Sequence, residues 1–299
     1  MAVPTHHVLS QGPMLLTLAR TAVGVARRRA FGAKPVSAPP ELPGPIIRAT
    51  LLPRPPELIR DYVQHVGGDS SWYRGVVPAH LFPQWGMPLL ARTLEGIPYD
   101  LTRVLNGGVS LEMNLALPAG EAMEVEARLV SIDDNGRRAV LRQECVTSTP
   151  SAPRALVATT VAIVPLERSS EKRERPRVEA EGAESIREIG RYRLSKRNGL
   201  DFAKLTGDFN PIHLFEPYAR AAGQKSVILH GYATLARAIE ALNRSVFAQD
   251  PSRLRAIDVR FARPLVLPAN VGVFLSGSRL MVGEALGGPA YLSGSFVAR

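Results

Sequence analysis

The sequence predicts an α+β chain made of two copies of one unit, each a helix wrapped by an antiparallel sheet. An internal repeat is the first observation behind this. GGDSSW (67–72), WGMPLLARTLEG (85–96) and LALPA (115–119) recur, in the same order, as TGDFNP (206–211), HGYATLARAIEA (230–241) and LVLPA (265–269). In the helical block, Gly86, Leu90, Ala91, Arg92 and Glu95 match Gly231, Leu235, Ala236, Arg237 and Glu240. The second observation is apolar–polar alternation broken by turn signals between about 109 and 166. The third is length: 299 residues suit two domains of ordinary size.

The elements follow in order. Glu41 is the first acidic residue, and Arg20, Arg27, Arg28, Arg29 and Lys34 precede it. Residues 14–26 can form a short helix with Leu15, Leu18, Ala22 and Val25 on one face. The arginines follow the apolar stretch, opposite to a secretory signal. The expectation is a helix lying on the body of the protein or on a membrane surface, with a transit peptide as the alternative. Residues 1–43 are read as a basic extension, and its Pro-rich end, 33–45, as an extended connector.

The first copy is placed at 44–166. It holds a strand at 46–52 and a helix that starts at Pro55–Pro56 and stops at Gly67–Gly68. Four strands follow, at 109–117, 123–132, 139–146 and 155–164. Asp133, Asp134, Asn135 and Gly136 supply a hairpin turn between the second and third. Residues 167–190 are charged and almost free of large apolar side chains, which makes them the predicted linker. The second copy is placed at 191–299. It holds a helix at 200–206, a longer one at 231–247, and strands near 254–267, 272–281 and 291–298.

Composition excludes several classes. One cysteine, Cys145, rules out an intramolecular disulfide framework and a cysteine-based zinc cluster. No apolar run reaches the roughly 20 residues of a spanning helix. The net charge of +10 suits a phosphate-bearing partner or simple surface solvation. No zinc-finger spacing, aromatic–basic RNA signature or continuous basic helix is present, so nucleic acid is not an expected partner. The expected compartment is the cytoplasm.

One stretch carries chemistry: Phe202-Ala-Lys-Leu-Thr-Gly-Asp208-Phe-Asn210-Pro211-Ile-His213. Gly207 can end the preceding helix in a left-handed conformation. Pro211 stops it from continuing and fixes a turn. A carboxylate, an amide and an imidazole then fall within six residues. Asp208 and His213 can act as acid and base on one water, with Asn210 orienting it. The bland alternative is a capping turn with a surface histidine. Gly231 follows His230 and opens the long helix. Its N–H, at the positive end of the helix dipole, suits a carbonyl oxygen gaining charge. Close packing is the bland alternative there.

Taken together, these residues resemble the R-specific enoyl-CoA hydratase, or MaoC-like dehydratase, family. Phe202 to Ala219 fits its signature, HGY at 230–232 resembles its His-Gly-apolar helix start, and VRFARPLVLPA at 259–269 looks like the strand that follows. The two-copy layout resembles the family's double-hotdog 3-hydroxyacyl-thioester dehydratases. The resemblance implies a double hotdog fold, and reversible hydration of trans-2-enoyl thioesters to R-3-hydroxyacyl thioesters. It implies Asp208 and His213 as catalytic, Asn210 and Gly231 as supporting and oxyanion groups, and His230, Tyr232 and Ser226 as substrate-binding. It implies neither metal nor cofactor, and an acyl-CoA or acyl-carrier-protein substrate. A monomer that is its own pseudo-dimer, or a homodimer, is expected. A hotdog thioesterase, or a non-catalytic thioester-binding protein, is the alternative.

The first copy departs from the pattern. Asp69 aligns with Asp208, but Ser71, Trp72 and Arg74 stand where Asn210, Pro211 and His213 stand in the second. This copy is not expected to catalyse. In the second copy, Gln224-Lys225-Ser226 replaces the family's apolar residue and proline, and Tyr232 replaces a common methionine.

Overall fold

The computed structural model describes residues 3–12, 16, 40–101, 104–166 and 186–299. Twelve strands and five helices carry the fold among these residues. The first copy contains β1 (Ile47–Leu51), α1 (Pro56–His65), α2 (Pro83–Arg92), β2 (Leu105–Met113), β3 (Met123–Asp134), β4 (Arg138–Ser148) and β5 (Leu156–Pro165). The second contains β6 (Arg187–Leu194), α3 (Arg197–Thr206), α4 (Glu216–Ala221), β7 (Ile228–Leu229) and α5 (Gly231–Ser245). It continues with β8 (Leu254–Phe261), β9 (Leu265–Val266), β10 (Ala269–Ser276), β11 (Arg279–Gly283) and β12 (Ala290–Ala298).

Ten strands form one sheet in the order β1-β3-β4-β5-β2-β8-β12-β11-β10-β6. Five come from each copy, and the two sets meet where β2 pairs antiparallel with β8, Val109 opposite Val259 and Leu111 opposite Ile257. Gly108 lies at this seam, where a Cβ would stand 2.3 Å from the Val259 carbonyl oxygen. The missing side chain lets the strands close. Residues Tyr232 to Asn243 of α5 are all buried, so this helix is the core of its copy rather than a surface element. β7 and β9 form a separate two-stranded ladder that ties the approach to α5 onto the loop after β8.

Most predicted elements stand close to their expected limits. The 133–136 hairpin forms as expected: Gly136 has φ 78°, and the Asp134 carboxylate accepts from its N–H at 2.8 Å. Three differences have physical causes. The strand expected at 109–117 starts earlier, at Leu105, because β5 pairs with it there, Leu105 opposite Ile163 and Asn106 opposite Ala162. The strand expected at 272–281 is a hairpin, β10 and β11, turning at Gly277 with φ 54°. Residues 187–190, assigned to the linker, belong to β6, whose charged side chains face outward while its backbone pairs with β10. The predicted helix at 14–26 lies outside the described residues, apart from Leu16. Ahead of it, Thr5–Gln11 forms a 3-10 helix that the sequence reading did not anticipate.

A buried polar cluster joins the copies. Glu240 of α5 is 0% exposed. Its Oε1 accepts from the Tyr73 hydroxyl at 2.8 Å and lies 3.0 Å from His80 Nε2. Asn243 Nδ2 donates to the Tyr73 oxygen and to Glu240 Oε2, at 2.8 and 3.2 Å. The Tyr62 hydroxyl donates to the His80 carbonyl at 2.8 Å. Gly68 packs against the same carboxylate, where a Cβ would come within 2.5 Å. A buried carboxylate is tolerated only when its lone pairs are filled, and here Tyr73 and His80 of the first copy and Asn243 of α5 fill them. Glu240→Ala is expected to cost about 3 kcal/mol, because it strands those donors in the core. Arg48→Ala, which breaks the exposed pair with Glu126, should cost less than about 1 kcal/mol. Urea denaturation of both variants checks this, and equal losses would refute it.

Candidate active site

The site begins at the end of α3. Gly207 has φ 82° and closes the helix in the left-handed conformation read from the sequence. The last turn of α3 exposes carbonyls that lack helical partners. Gln11 caps two of them, its Nε2 lying 3.2 Å from the Lys204 oxygen and 3.1 Å from that of Leu205. Gln11 Oε1 accepts from Gln84 Nε2 of α2 at 3.1 Å, so the N-terminal segment fastens this end of α3 to the first copy. Nothing in the composition of 1–43 marks Gln11, and the sequence reading missed it.

The chain then turns through Asp208 to His213. Pro211–His213 forms a 3-10 turn, with the Asn210 Oδ1 accepting from Ile212 N–H at 3.3 Å. Asn210 therefore caps the turn, as the bland alternative held. Asp208 Oδ1 accepts from the Asn210 N–H at 3.3 Å, which leaves the second carboxylate oxygen free of that turn.

Two stacked imidazoles face this carboxylate. The rings of His213 and His230 lie 3.7 Å apart, tilted by 27°. Phe202 backs His230 at 4.9 Å. His213 Nδ1 lies 2.8 Å from the Ile228 carbonyl oxygen. A carbonyl only accepts, so Nδ1 carries the proton and Nε2 is left with its lone pair. His230 Nε2 donates in the same way to the Asp208 carbonyl at 2.9 Å. His230 therefore anchors the aspartate's backbone; its distance to the Asp208 carboxylate is 3.9 Å. Burial, reinforced by His213, lowers its pKa to about 3 despite the opposing pull of Asp208, so it is neutral at ordinary pH. One donor atom each from Asp208, His213 and His230 fall within 4.8 Å of one another. Among the described residues this is the group able to hold a metal ion, though each imidazole already uses one nitrogen on a backbone carbonyl.

Gly231 opens α5 beside these rings. The His230 carbonyl accepts from Ala233 and Thr234, so the N–H groups of Gly231 and Tyr232 are the unpaired first donors of the helix. A Cβ at Gly231 would stand 2.9 Å from the Phe261 ring. Close packing and exposure of the N–H thus both require glycine here. Tyr232 and Ser226 are buried within the same approach, and their hydroxyls lack hydrogen-bond partners.

The corresponding turn of the first copy is different. The Asp69 side chain caps its own 3-10 turn by accepting from Ser71 N–H at 2.8 Å. Arg74 is exposed at the end of that turn.

This architecture, two helix-centred halves sharing one sheet, is a double hotdog. A Mycobacterium tuberculosis protein described as having a double hotdog fold superposes with a TM-score of 0.56 at 11% identity, over 87% of this chain and 97% of the other. HtdX of the same organism superposes with a TM-score of 0.68 at 18% identity, over 85% of this chain and all of that one. Residues 179–279, which hold most of the second copy, match the family described as MaoC like domain. A probable enoyl-CoA hydratase 2 from Dictyostelium discoideum is 24% identical over 189 residues. That alignment covers 61% of this chain and 64% of the relative, so the chain spans less than two thirds of it.

The buried imidazoles set an acid limit on stability. Burial, with Arg237 beside it, lowers the pKa of His65 to about 3 as well. Below pH 6.5 an unfolded imidazole takes up a proton that these two refuse until about pH 3. The unfolded state then binds more protons, so stability falls as pH drops through that window. Each histidine contributes a slope of up to about 1.4 kcal/mol per pH unit. Urea midpoints at pH 6.5 and pH 4.5 should fall steeply for the wild type and less for His65→Gln. An identical fall would refute the assignment.

Proposed function

We propose that this chain reversibly hydrates trans-2-enoyl thioesters to R-3-hydroxyacyl thioesters, acting on coenzyme A or acyl-carrier-protein conjugates. The observation that carries the reading is the fixed tautomer of His213. Its Nδ1–H is held by the Ile228 carbonyl, so the Nε2 lone pair is available beside the Asp208 carboxylate.

The reaction needs three things. A water must be held and relieved of a proton as its oxygen bonds to C3. A proton must reach C2. The thioester oxygen must carry charge between those events. Asp208 and His213 Nε2 hold the water and exchange both protons. The N–H of Gly231 receives the thioester oxygen, with the α5 dipole behind it. His230 positions Asp208 through its carbonyl, and Asn210 shapes the turn. No metal or redox cofactor has a part in this scheme.

The catalytic role rests with the second copy alone. In the first, Asp69 is engaged in its turn and Arg74 takes the histidine's place. An acyl thioester partner also agrees with the net charge of +10. No helix among the described residues is long and apolar enough to cross a membrane. A cytoplasmic location and a chain that is its own pseudo-dimer complete the reading.

Asp208→Asn and His213→Ala should each lower hydration of crotonyl-CoA by about 10²–10⁴-fold while the fold persists. Loss of enoyl absorbance measures the rate, and chiral analysis of the product checks the R configuration. Arg74→Ala should keep most activity. Full activity in Asp208→Asn would overturn the assignment.

A further inference from the structure

Five buried side-chain atoms lack a hydrogen-bond partner among the described residues, and three lie in the seven-residue approach to α5. They are Ser226 Oγ, His230 Nδ1 and Tyr232 Oη; the other two are Thr160 Oγ1 and Asn243 Oδ1. Folded proteins leave few such atoms, and three in one short stretch of chain beside the candidate site point to a ligand there.

Tyr232 is the most constrained of the three. It is 5% exposed, and its ring meets Phe82 of the first copy and Phe261 of β8 edge-on, at 5.4 and 5.5 Å. The ring cannot swing out without parting these aromatics. The Asn106 side chain, the Asp208 carboxylate and the Cys145 thiol of β4 all lie close enough to act on its phenol, yet none makes a hydrogen bond of good geometry with it. The hydroxyl is therefore in reach of the Asp208 carboxylate, on a ring held at the boundary between the copies. With a thioester carbonyl on the Gly231 N–H, the neighbouring Tyr232 side chain lies where the acyl group enters that boundary.

An unpartnered buried hydroxyl costs about 1–3 kcal/mol, which a plain alkyl chain leaves unrelieved. An acyl group with its own neutral oxygen relieves it. An anionic group is disfavoured, because the charge closest to the phenol is the Asp208 carboxylate and burial keeps the phenol un-ionised. We infer that Tyr232 is a specificity-determining residue, and that its hydroxyl selects acyl thioesters bearing a neutral hydroxyl or carbonyl oxygen on the acyl chain over plain alkyl ones. This deepens the hydratase reading and rests on it.

The test separates binding from turnover. Saturated thioesters cannot be hydrated, so calorimetry with 6-hydroxyhexanoyl-CoA and its isostere heptanoyl-CoA reads the pocket alone. The wild type should bind the hydroxylated chain about tenfold tighter. Tyr232→Phe should abolish that preference while heptanoyl-CoA binding is kept. Tyr232→Phe should also melt no lower than the wild type, since it removes a hydroxyl that has no partner. Equal binding of the two thioesters by the wild type overturns the inference, as does a preference that survives in Tyr232→Phe or a variant that melts lower. Hydration of 6-hydroxyhex-2-enoyl-CoA and hept-2-enoyl-CoA is then measured. The same preference in kcat/KM is expected there. The binding preference without any hydration would overturn the hydratase reading and leave the specificity of Tyr232 standing.

Discussion

The pairing of β2 with β8 is the constraint on which the rest of the molecule depends. Each copy alone would leave a five-stranded sheet with an open edge at this position, a surface that invites pairing with another chain. Joined, the two edges satisfy each other, and the covalent link between the copies makes that meeting intramolecular. The seam also fixes what lies behind it. Once Val109 stands opposite Val259, the loops after α1 must cross toward α5, and Tyr73 and His80 reach the Glu240 carboxylate. This polar cluster, with the bonds of Arg237 and Arg244 to the His65 and Gly67 carbonyls, adds direction to the interface. A buried hydrogen-bonded network tolerates few alternative alignments.

The site uses this rigidity at one remove. Each proposed catalytic group stands on a short turn, and turns are where backbone is free to move. What holds them is a set of backbone acceptors at fixed places: the Ile228 carbonyl for His213, the Asp208 carbonyl for His230, and the α3 carbonyls for Gln11. Ile228 belongs to β7, which is paired with β9, and β9 follows directly from β8 of the seam. The orientation of the base is thus transmitted from the sheet through hydrogen bonds of about 3 Å, none of which needs the substrate to form. Such preorganisation is what a polar reaction requires, because reorienting dipoles during the reaction would raise the barrier.

Much of this was legible in the sequence because it is local. The left-handed Gly207, the Asx-Pro turn and the 133–136 hairpin are dictated by a few neighbouring residues, and alternation marked most strands of the first copy. The repeat revealed the two-copy plan because both halves solve the same packing problem. What escaped was determined by distant partners. β6 is rich in charge and reads as linker until β10 supplies its backbone bonds. Glu240 stands out in the sequence only as the repeat partner of Glu95, and its burial depends on Tyr73 and His80 enclosing it. The resemblance implies His230 as a substrate contact; that its ring also holds the backbone of Asp208 could be read only from the fold. Gln11 stands 193 residues from the helix end it caps.

The two copies also differ by little at the turn to which the proposed chemistry is assigned. Both place an aspartate just beyond a glycine and ahead of the central helix of the copy. In the first, no proline follows, and the aspartate folds back onto the N–H two residues later at 2.8 Å. In the second, the equivalent bond is longer, 3.3 Å, because Asn210 serves as the cap of the next turn and Pro211 fixes where that turn begins. The proline thus hands the capping duty from the carboxylate to the amide. The carboxylate is left with capacity for a water, and His213 arrives at the end of the same turn to share it. A histidine restored at Arg74 alone would therefore not rebuild a site, because Ser71 and Trp72 supply neither the amide cap nor the proline that begins the second turn.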